Sequence, residues 1–416
     1  MRAKTLTQAF KNFNPRKPLQ GPTLKAFYVE RAGTPLSEME IHLRNASEPI
    51  KLLFTGHRGS GKTTSLFKLV EKLGKPYFAV RFSVTETLNP FELTYVDLLL
   101  GLSTRLFAQA TDEQAIKTLG LGKIADVLLD DIYHWYIEYV LGKNIPFREP
   151  STDLSLSGKV NFLVLQLEAK VAAEASTREQ VRERVEMRLS ELIERINYML
   201  DAIRRRVQEN VLIVVEDIDK LDLKAARNLY LEHASSLVAP KANIIYTFPA
   251  SLRYSNDFIQ IRRNFDEAFV LPNAHVFHRD ETPHEQGQAM LRDVIGRRMV
   301  PDLIDGAALD KLVENSGGLL VTLIDLTQRA IVSAIGQSRE QVTEADVDKA
   351  IVRERADYQA LLRPGHYEAL RERRRDKTLV NDETVRDLLY NQSLLEYANG
   401  DAWCDVHPVV WPLLEE

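Results

Sequence analysis

The chain has 416 residues, 44% hydrophobic and 27% charged, with a formal net charge of −5. At about 150 residues per domain this allows two or three domains, and the negative balance argues against a protein that coats nucleic acid non-specifically, leaving only a local basic patch open. One cysteine, Cys404, excludes an internal disulfide framework; with no run of about 20 apolar residues and no apolar stretch behind Arg2 and Lys4, neither a membrane span nor a signal peptide is expected, and the expected setting is a reducing cytoplasm.

Residues 1–24, with Pro15, Pro18, Gly21 and Pro22, read as an extended arm carrying Phe10 and Phe13, and Ser37–Asn45 reads as a short helix. Lys51–Phe67 (KLLFTGHRGSGKTTSLF) is the stretch the chain is organised around. Leu52, Leu53 and Phe54 suit a buried parallel strand, and Leu66, Leu69, Val70 and Leu73 fall on one face of a helix. Between them stands the full G-x-x-x-x-G-K-T pattern: Gly56, His57, Arg58, Gly59, Ser60, Gly61, Lys62 and Thr63, with Thr64 after it. Glycines let backbone N–H groups turn inward to cradle phosphates; Lys62 is expected on the β- and γ-phosphates of ATP, and the Thr63 hydroxyl on Mg²⁺. In such ATPases the segment before the first helix often covers the adenine, so Tyr28 or Val29 is a candidate base contact, with simple packing as the alternative.

Tyr77–Phe82 reads as the second strand, and Asn89-Pro90 opens a helix over Phe91–Gln109. The stretch from there to the next strand is too long for an ordinary crossover. Helical patterns over Gln114–Leu119, Ile124–Leu141 and Val160–Ala175 lead to one long amphipathic helix, Arg178–Gln208. Its Arg/Glu face is either solvated or a docking face for a partner or neighbouring subunit. Arg204-Arg205-Arg206 either touch phosphate or suit the dipole at a helix end.

Val211–Val215 is the most apolar strand, and Glu216-Asp217-Ile218-Asp219-Lys220 follows it. Two acids at a buried strand end need a cation, which is the Walker B arrangement. The usual order is Asp then Glu; here it is reversed, and Glu216 is favoured as the metal-side acid with Asp217 as the water-activating one. Leu223–Leu237 reads as a helix and Asn243–Phe248 as a strand, placing Thr247 where a γ-phosphate sensor would stand. Arg262 and Arg263, ahead of the short strand Ala268–Leu271, are candidates for a finger reaching a neighbour's site, or form surface pairs with Asp266 and Glu267. His275, His278 and His284 match no zinc spacing.

From Thr282 the pattern is helical: Glu285–Met299, Gly306–Asn315, Leu319–Ile335 and Glu344–Ala360, broken by Ser316-Gly317-Gly318. In the tail a helix from Asp382 to Asn391, a strand Leu394–Tyr397, an Asn399-Gly400 turn and a return Ala402–Val406 outline a winged helix, with Cys404 and His407 as packing residues. The run Arg371–Lys377 is either a DNA-facing patch or a solvated helix.

The order of these features, with Ile244–Pro249, the SGGLL break and the Trp403–Pro408 ending, resembles AAA+ ATPases near the origin-recognition initiator and STAND groups. It is more closely similar to the bacterial P-loop ATPases that carry GHRGSGKT. The resemblance implies an α/β P-loop NTPase parallel sheet with a long helical insertion, a helical lid and a C-terminal winged helix. The implied boundaries are 1–48 for the arm and first helix, 49–280 for the core with its insertion at about 110–208, 281–360 for the lid and 361–416 for the winged helix. It implies ATP and Mg²⁺ at Gly56–Thr63, roles for Glu216 and Asp217, and a sensor role for Thr247. It also implies a homo-oligomer and a molecular switch acting with a separately encoded protein effector, plausibly in anti-phage defence. One alternative is a DNA-loading or transposition-targeting ATPase that uses the winged helix; another is a nucleotide-binding scaffold without turnover. The chain departs from the pattern after Gly317-Gly318, where Leu319-Leu320-Val321-Thr322 stands in place of a sensor arginine; the next basic residue is Arg329, so Arg297 or Arg298 takes that role or hydrolysis is slow.

Overall fold

The computed structural model describes the chain except residues 75–76, 89–91, 113–125, 143–144, 146–147, 149, 152, 208–209, 400 and 416. Five strands, β1 (Lys51–Thr55), β2 (Tyr77–Ser83), β3 (Asn210–Glu216), β4 (Asn243–Phe248) and β5 (Glu267–Val270), form a parallel sheet in the order β2-β3-β4-β1-β5. Every residue of β1 and β4 is buried, as strands covered on both faces require, which is why they read as unbroken apolar runs. On one face Leu52, Phe54, Leu212, Val214 and Ile245 pack under α3 (Leu36–Asn45) and α4 (Lys62–Leu73). The chain leaves β1, passes over two positions to β2 and returns through β3 and β4, so the C-terminal ends of β1, β4 and β3 lie side by side. The loop after β1, the acids after β3 and Thr247 on β4 therefore share one edge of the sheet, where parallel sheets hold ligands.

The other face is covered by the crossover from β2 to β3. After one helical turn, Val84–Thr87, its longer described helices are α5 (Tyr95–Thr111), α6 (Asp126–Trp135, continuing as a π-helical turn to Leu141), α7 (Leu156–Ala173), α8 (Ala175–Glu186) and α9 (Leu189–Val207). Phe107, Trp135, Leu163, Leu192 and Met199 join Phe82, Val211, Ile213 and Val215 in one cluster, so the insertion is built onto the sheet. The expected single helix over Arg178–Gln208 is two helices, broken at Met187-Arg188, and Gln208 lies outside the described residues. The Arg/Glu face of α8 is not simply solvated: Arg178 is buried, Arg182 grips Asp97 of α5, and Arg184 donates to Leu141 O. The Asn89-Pro90 opening lies outside the described residues; α5 starts at Tyr95, where Thr94 and Asp97 form a capping box. Gln114–Leu119 is also outside them. The single helix expected over Leu223–Leu237 is three short pieces, Leu223–Arg227, Asn228–Glu232 and Ala234–Val238.

The expected extended arm contains two helices, α1 (Leu6–Asn12) and α2 (Gly21–Phe27). Ala3, Leu6, Ala9 and Phe13 pack against the C-terminal half, made of α10 (Glu285–Gly296), α11 (Gly306–Asn315), α12 (Leu320–Gly336), α13 (Glu344–Leu361), α14 (Pro364–Asp376), α15 (Glu383–Tyr390) and the antiparallel hairpin β6 (Leu394–Asn399) and β7 (Asp401–Val406). Leu312, Leu326, Leu388, Leu394 and Val406 belong to the same cluster, so the lid and the winged-helix segment share one core. The hairpin's turn residue Gly400 is outside the described residues. The described helices include none long and apolar enough to cross a membrane.

Candidate nucleotide site

The loop after β1 turns on three glycines with positive φ: Gly56 (148°), Gly59 (79°) and Gly61 (94°). Lys62 opens α4 and folds back, its ammonium donating to Gly56 O at 2.8 Å and His57 O at 2.9 Å. Its charge is met by Asp219 Oδ2 at 2.9 Å. Asp219 reaches it because Ile218–Lys220 form one tight 3₁₀ turn after β3. Sequence reasoning placed no role on Asp219; the signal was its position two residues past Asp217.

Glu216 ends β3 and is 1% exposed. Burial pushes its carboxyl above the usual carboxylate range, against the pull of the Arg81 guanidinium. Arg81 Nε holds Oε2, while Oε1 has no partner among the described residues. The Thr63 hydroxyl also pulls the same carboxyl down. Asp217 sits in the left-handed region (φ 70°) and is turned towards β2. Ser83 Oγ and Thr85 Oγ1 each donate to its Oδ2 at 2.6 Å, and Lys220 pairs with Oδ1. Burial would raise its pKa, but these three donors more than cancel that and hold it low. Thr247 is buried and its Oγ1 accepts from Ile218 N at 3.2 Å, so its hydroxyl steadies the acidic turn.

Arg31, which sequence reasoning missed, follows α2 and is buried beside the loop. Its Nη2 donates to Ser60 O at 2.8 Å, while Nη1 has no partner among the described residues. Burial lowers its pKa to about 10, with only the Tyr28 hydroxyl to offset it and no carboxylate contributing. The only hint in the sequence was a lone arginine just after the Tyr28-Val29 pair. Tyr28 is half-buried, with Lys68 of α4 over its ring at 5.6 Å. Leu19 N donates to Thr64 Oγ1 at 3.1 Å, so the N-terminal segment crosses the start of α4.

The outer side of the loop is gripped by the C-terminal half. Val321 N donates to Gly59 O at 3.1 Å, and a Cβ on Gly59 would lie 2.1 Å from Val321 Cγ1. Gln392 donates to Arg58 O, and the Arg58 residue is exposed. His57 is buried and accepts the Glu396 N–H at Nε2, 2.7 Å away. Burial lowers the His57 pKa to about 4, with Lys62 adding to the fall and Glu396 opposing it. Glu396 is anchored in turn by Arg253 at 2.8 Å. The stretch Leu319–Thr322, where an arginine was expected, is thus the apolar seat of the lid on the loop. Arg329 is spent inside the lid on Asp325 and Glu354. Arg297 is exposed and pairs with Asp293; Arg298 is buried against the Phe27 ring at 5.3 Å and donates to Val294 O. Arg262 pairs with Glu267 at 2.8 Å, and Arg263 is exposed; both precede β5, at the end of the sheet opposite the loop, so they do not reach this chain's own site.

The unpartnered groups around the loop suit an anion and a cation together. Arg31 Nη1 and Ser60 Oγ offer hydrogen bonds, and Glu216 Oε1 offers a carboxylate oxygen. Buried polar groups normally find partners, so these three are candidate ligand contacts. Loop, strand order and acids define the fold as that of a P-loop NTPase.

No protein-family model matches the chain, and no curated protein sequence matches it. Among solved structures it is similar to the Walker-type ATPase PABY2304 of Pyrococcus abyssi (12% identity over 97% of this chain and 100% of that one, TM-score 0.49). It is also similar to CDC6P from Pyrobaculum aerophilum (13%, 97% of both, 0.45) and to the RuvB Holliday junction branch migration motor of Thermotoga maritima (11%, 97% and 99%, 0.41). At such identities and scores these likenesses carry nothing about function.

Proposed function

We propose that the chain is an AAA+ ATP-binding switch that hydrolyses ATP slowly. The observation that carries this reading is the two-sided use of one loop: its surroundings hold unpartnered polar groups, while its outer side is held by Val321, Gln392 and Glu396. Phosphate binding that reshapes the loop is thereby felt by lid and hairpin. In this reading Gly56–Thr64 cradle the phosphates, Lys62 exchanges its carbonyl partners for phosphate oxygens, and Arg31 adds a second cation. Thr63 and Glu216 would hold Mg²⁺, which neutralises phosphate charge when bound. Asp217, held low by its three donors, orients water rather than acting as a strong base. Thr247 transmits γ-phosphate occupancy to the acidic turn it already touches. Arg263 is the better finger candidate, because Arg262 is paired; that role makes the active species a homo-oligomer. A separately encoded protein effector, in an anti-phage setting, completes the reading.

The DNA-loading alternative is less well supported. Its basic run is largely spent internally: Arg373 on Asp376, Arg374 and Lys377 on Asp405 and Glu281, and Arg371 on Leu414 O. The test is phosphate release with Mg-ATP, with and without double-stranded DNA, beside Lys62→Ala and Asp217→Asn. Slow turnover, indifferent to DNA and lost in both variants, is expected. Strong DNA stimulation would favour the loader, and ATP binding without turnover the scaffold.

A further inference from the structure

Glu216 is a buried carboxylate whose charge is already met in this structure by a residue of its own chain. Arg81 lies on β2, in register with Val214, and its side chain shares the sheet face of Val214 and Glu216, under α4. Its guanidinium sits 5.1 Å from the ring of Phe67, one helical turn beyond Thr63. Nε holds Glu216 Oε2, and the other end of the same guanidinium faces Glu86, with Nη2 3.2 Å from Oε1 and Nη1 3.4 Å from Oε2. Glu86 is 58% exposed and Glu216 1%. One arginine therefore bridges a buried acid and a solvated one.

We propose that Arg81 is the resident cation of Glu216 and competes with the divalent metal for it, withdrawing onto Glu86 when the metal arrives. This rests on the reading of Glu216 as the metal-side acid. A guanidinium and a dication on one carboxylate are like charges a few ångströms apart; the shared Glu216 is 1% exposed and Arg81 32%, so water screens their repulsion only in part. Removing the arginine without a replacement would leave Glu216 buried and uncompensated, which is also unfavourable. Glu86 resolves the conflict, because Arg81 can release Glu216 and still be paired. The device sets how much metal the site requires before it closes around a nucleotide.

The test is a magnesium titration of the binding of a fluorescent ATP analogue, starting in EDTA, on wild type, Arg81→Gln and Glu86→Gln. Arg81→Gln should lower the magnesium midpoint about five- to tenfold, the low end of ordinary coupling between sites. Glu86→Gln, which removes the alternative seat from an exposed position, should raise it about two- to threefold. In nucleotide-free melts Arg81→Gln should lose stability in EDTA and regain it with magnesium alone. Unchanged midpoints in both variants, with nucleotide still bound, would overturn the competition. A midpoint that is unchanged or lowered in Glu86→Gln would do so alone, should Arg81→Gln fail to fold. No analogue binding by wild type at any magnesium concentration would instead refute the nucleotide site itself.

Discussion

Arg31 shows how a single residue betrays a ligand. A buried arginine ordinarily has a carboxylate; among the described residues this one has the Ser60 carbonyl and one unpartnered nitrogen, and burial lowers its pKa to about 10. Its presence is a cost to the ligand-free chain that an anion would relieve. The expectation for Arg31→Met is therefore two effects of opposite sign. Stability without nucleotide is unchanged or rises by about 1 kcal/mol, while ATP affinity falls about 10- to 100-fold, the worth of a charge-assisted hydrogen bond at about 1.5–3 kcal/mol. Melting curves and calorimetric titration read both. A variant that melts earlier yet binds ATP as tightly as wild type would make Arg31 a structural residue. The neighbouring acids divide similarly: Asp219 compensates Lys62, Arg81 compensates Glu216, and Asp217 is satisfied by Ser83, Thr85 and Lys220. Asp219→Asn frees Lys62 from its only carboxylate among the described residues, and tighter binding of ATP by about threefold or more is expected in the same titration; weaker binding would mean that Asp219 itself contributes to the ligand site.

At the scale of elements, the joint between loop and lid is steric as well as hydrogen-bonded. Gly59 has φ 79°, and an added methyl would overlap Val321 Cγ1. Gly59→Ala should cost about 2–4 kcal/mol in urea unfolding: about 1 kcal/mol for an L-residue in the left-handed region, the remainder for the overlap. Adding Val321→Ala removes the Cγ1 overlap but keeps Val321 Cβ, 2.6 Å from the added methyl, so it should return part of the overlap cost and leave the backbone part, a coupling that a double-mutant cycle measures. Additive losses would mean that lid and loop do not touch in solution. This joint also marks where legibility ended. The strands, the loop and α4 could be read because their signals are local: apolar runs buried on both faces, glycines at turns, one helical stripe. The break of the long helix at Met187-Arg188 could not, because apolar spacing continues from Val185 through Leu189 while Arg182 and Arg184 are drawn to Asp97 and Leu141 from other helices. The arm was misread as extended because its prolines cap and precede helices rather than prevent them, with Pro22 in the first turn of α2. Neither Arg31 nor Arg81 carries a local signal, since each matters only through a group brought to it by the fold.

The whole molecule consists of two bodies of packing that meet at the loop and beside it, where Ala250–Arg253 lies against α15 and Asn381 donates to Asn256. The sheet with its insertion has its own clusters, and arm, lid and tail share another. A small patch of Leu319, Leu395, Tyr397 and Trp403 against Val321 closes the second body where it bonds the loop, and the hydrogen bonds of His57, Gln392, Asn273 and Arg253 join the two. His57 makes the hydrogen-bonded part of this joint sensitive to acid. Its Nε2 accepts a hydrogen bond only while unprotonated, and its pKa is about 4 in the folded chain against about 6.5 unfolded. A base with a depressed folded pKa stabilises the fold fully above the unfolded value, and that stabilisation is lost as pH falls from about 6.5 to about 4, about 3 kcal/mol for His57 on its own. His407, buried nearby with its pKa lowered to about 3 by burial and then by His57, acts in the same direction. Urea midpoints should therefore fall steadily below pH 6.5, and amide exchange should quicken first in 394–406, the hairpin that sits on the loop, while β1 and β4 stay protected. His57→Gln keeps an acceptor for Glu396 N–H but cannot titrate, so its stability should fall less steeply over the same interval. If the variant follows the wild-type slope and the hairpin loses protection only with the sheet, the two bodies open together and the loop is not the joint between them.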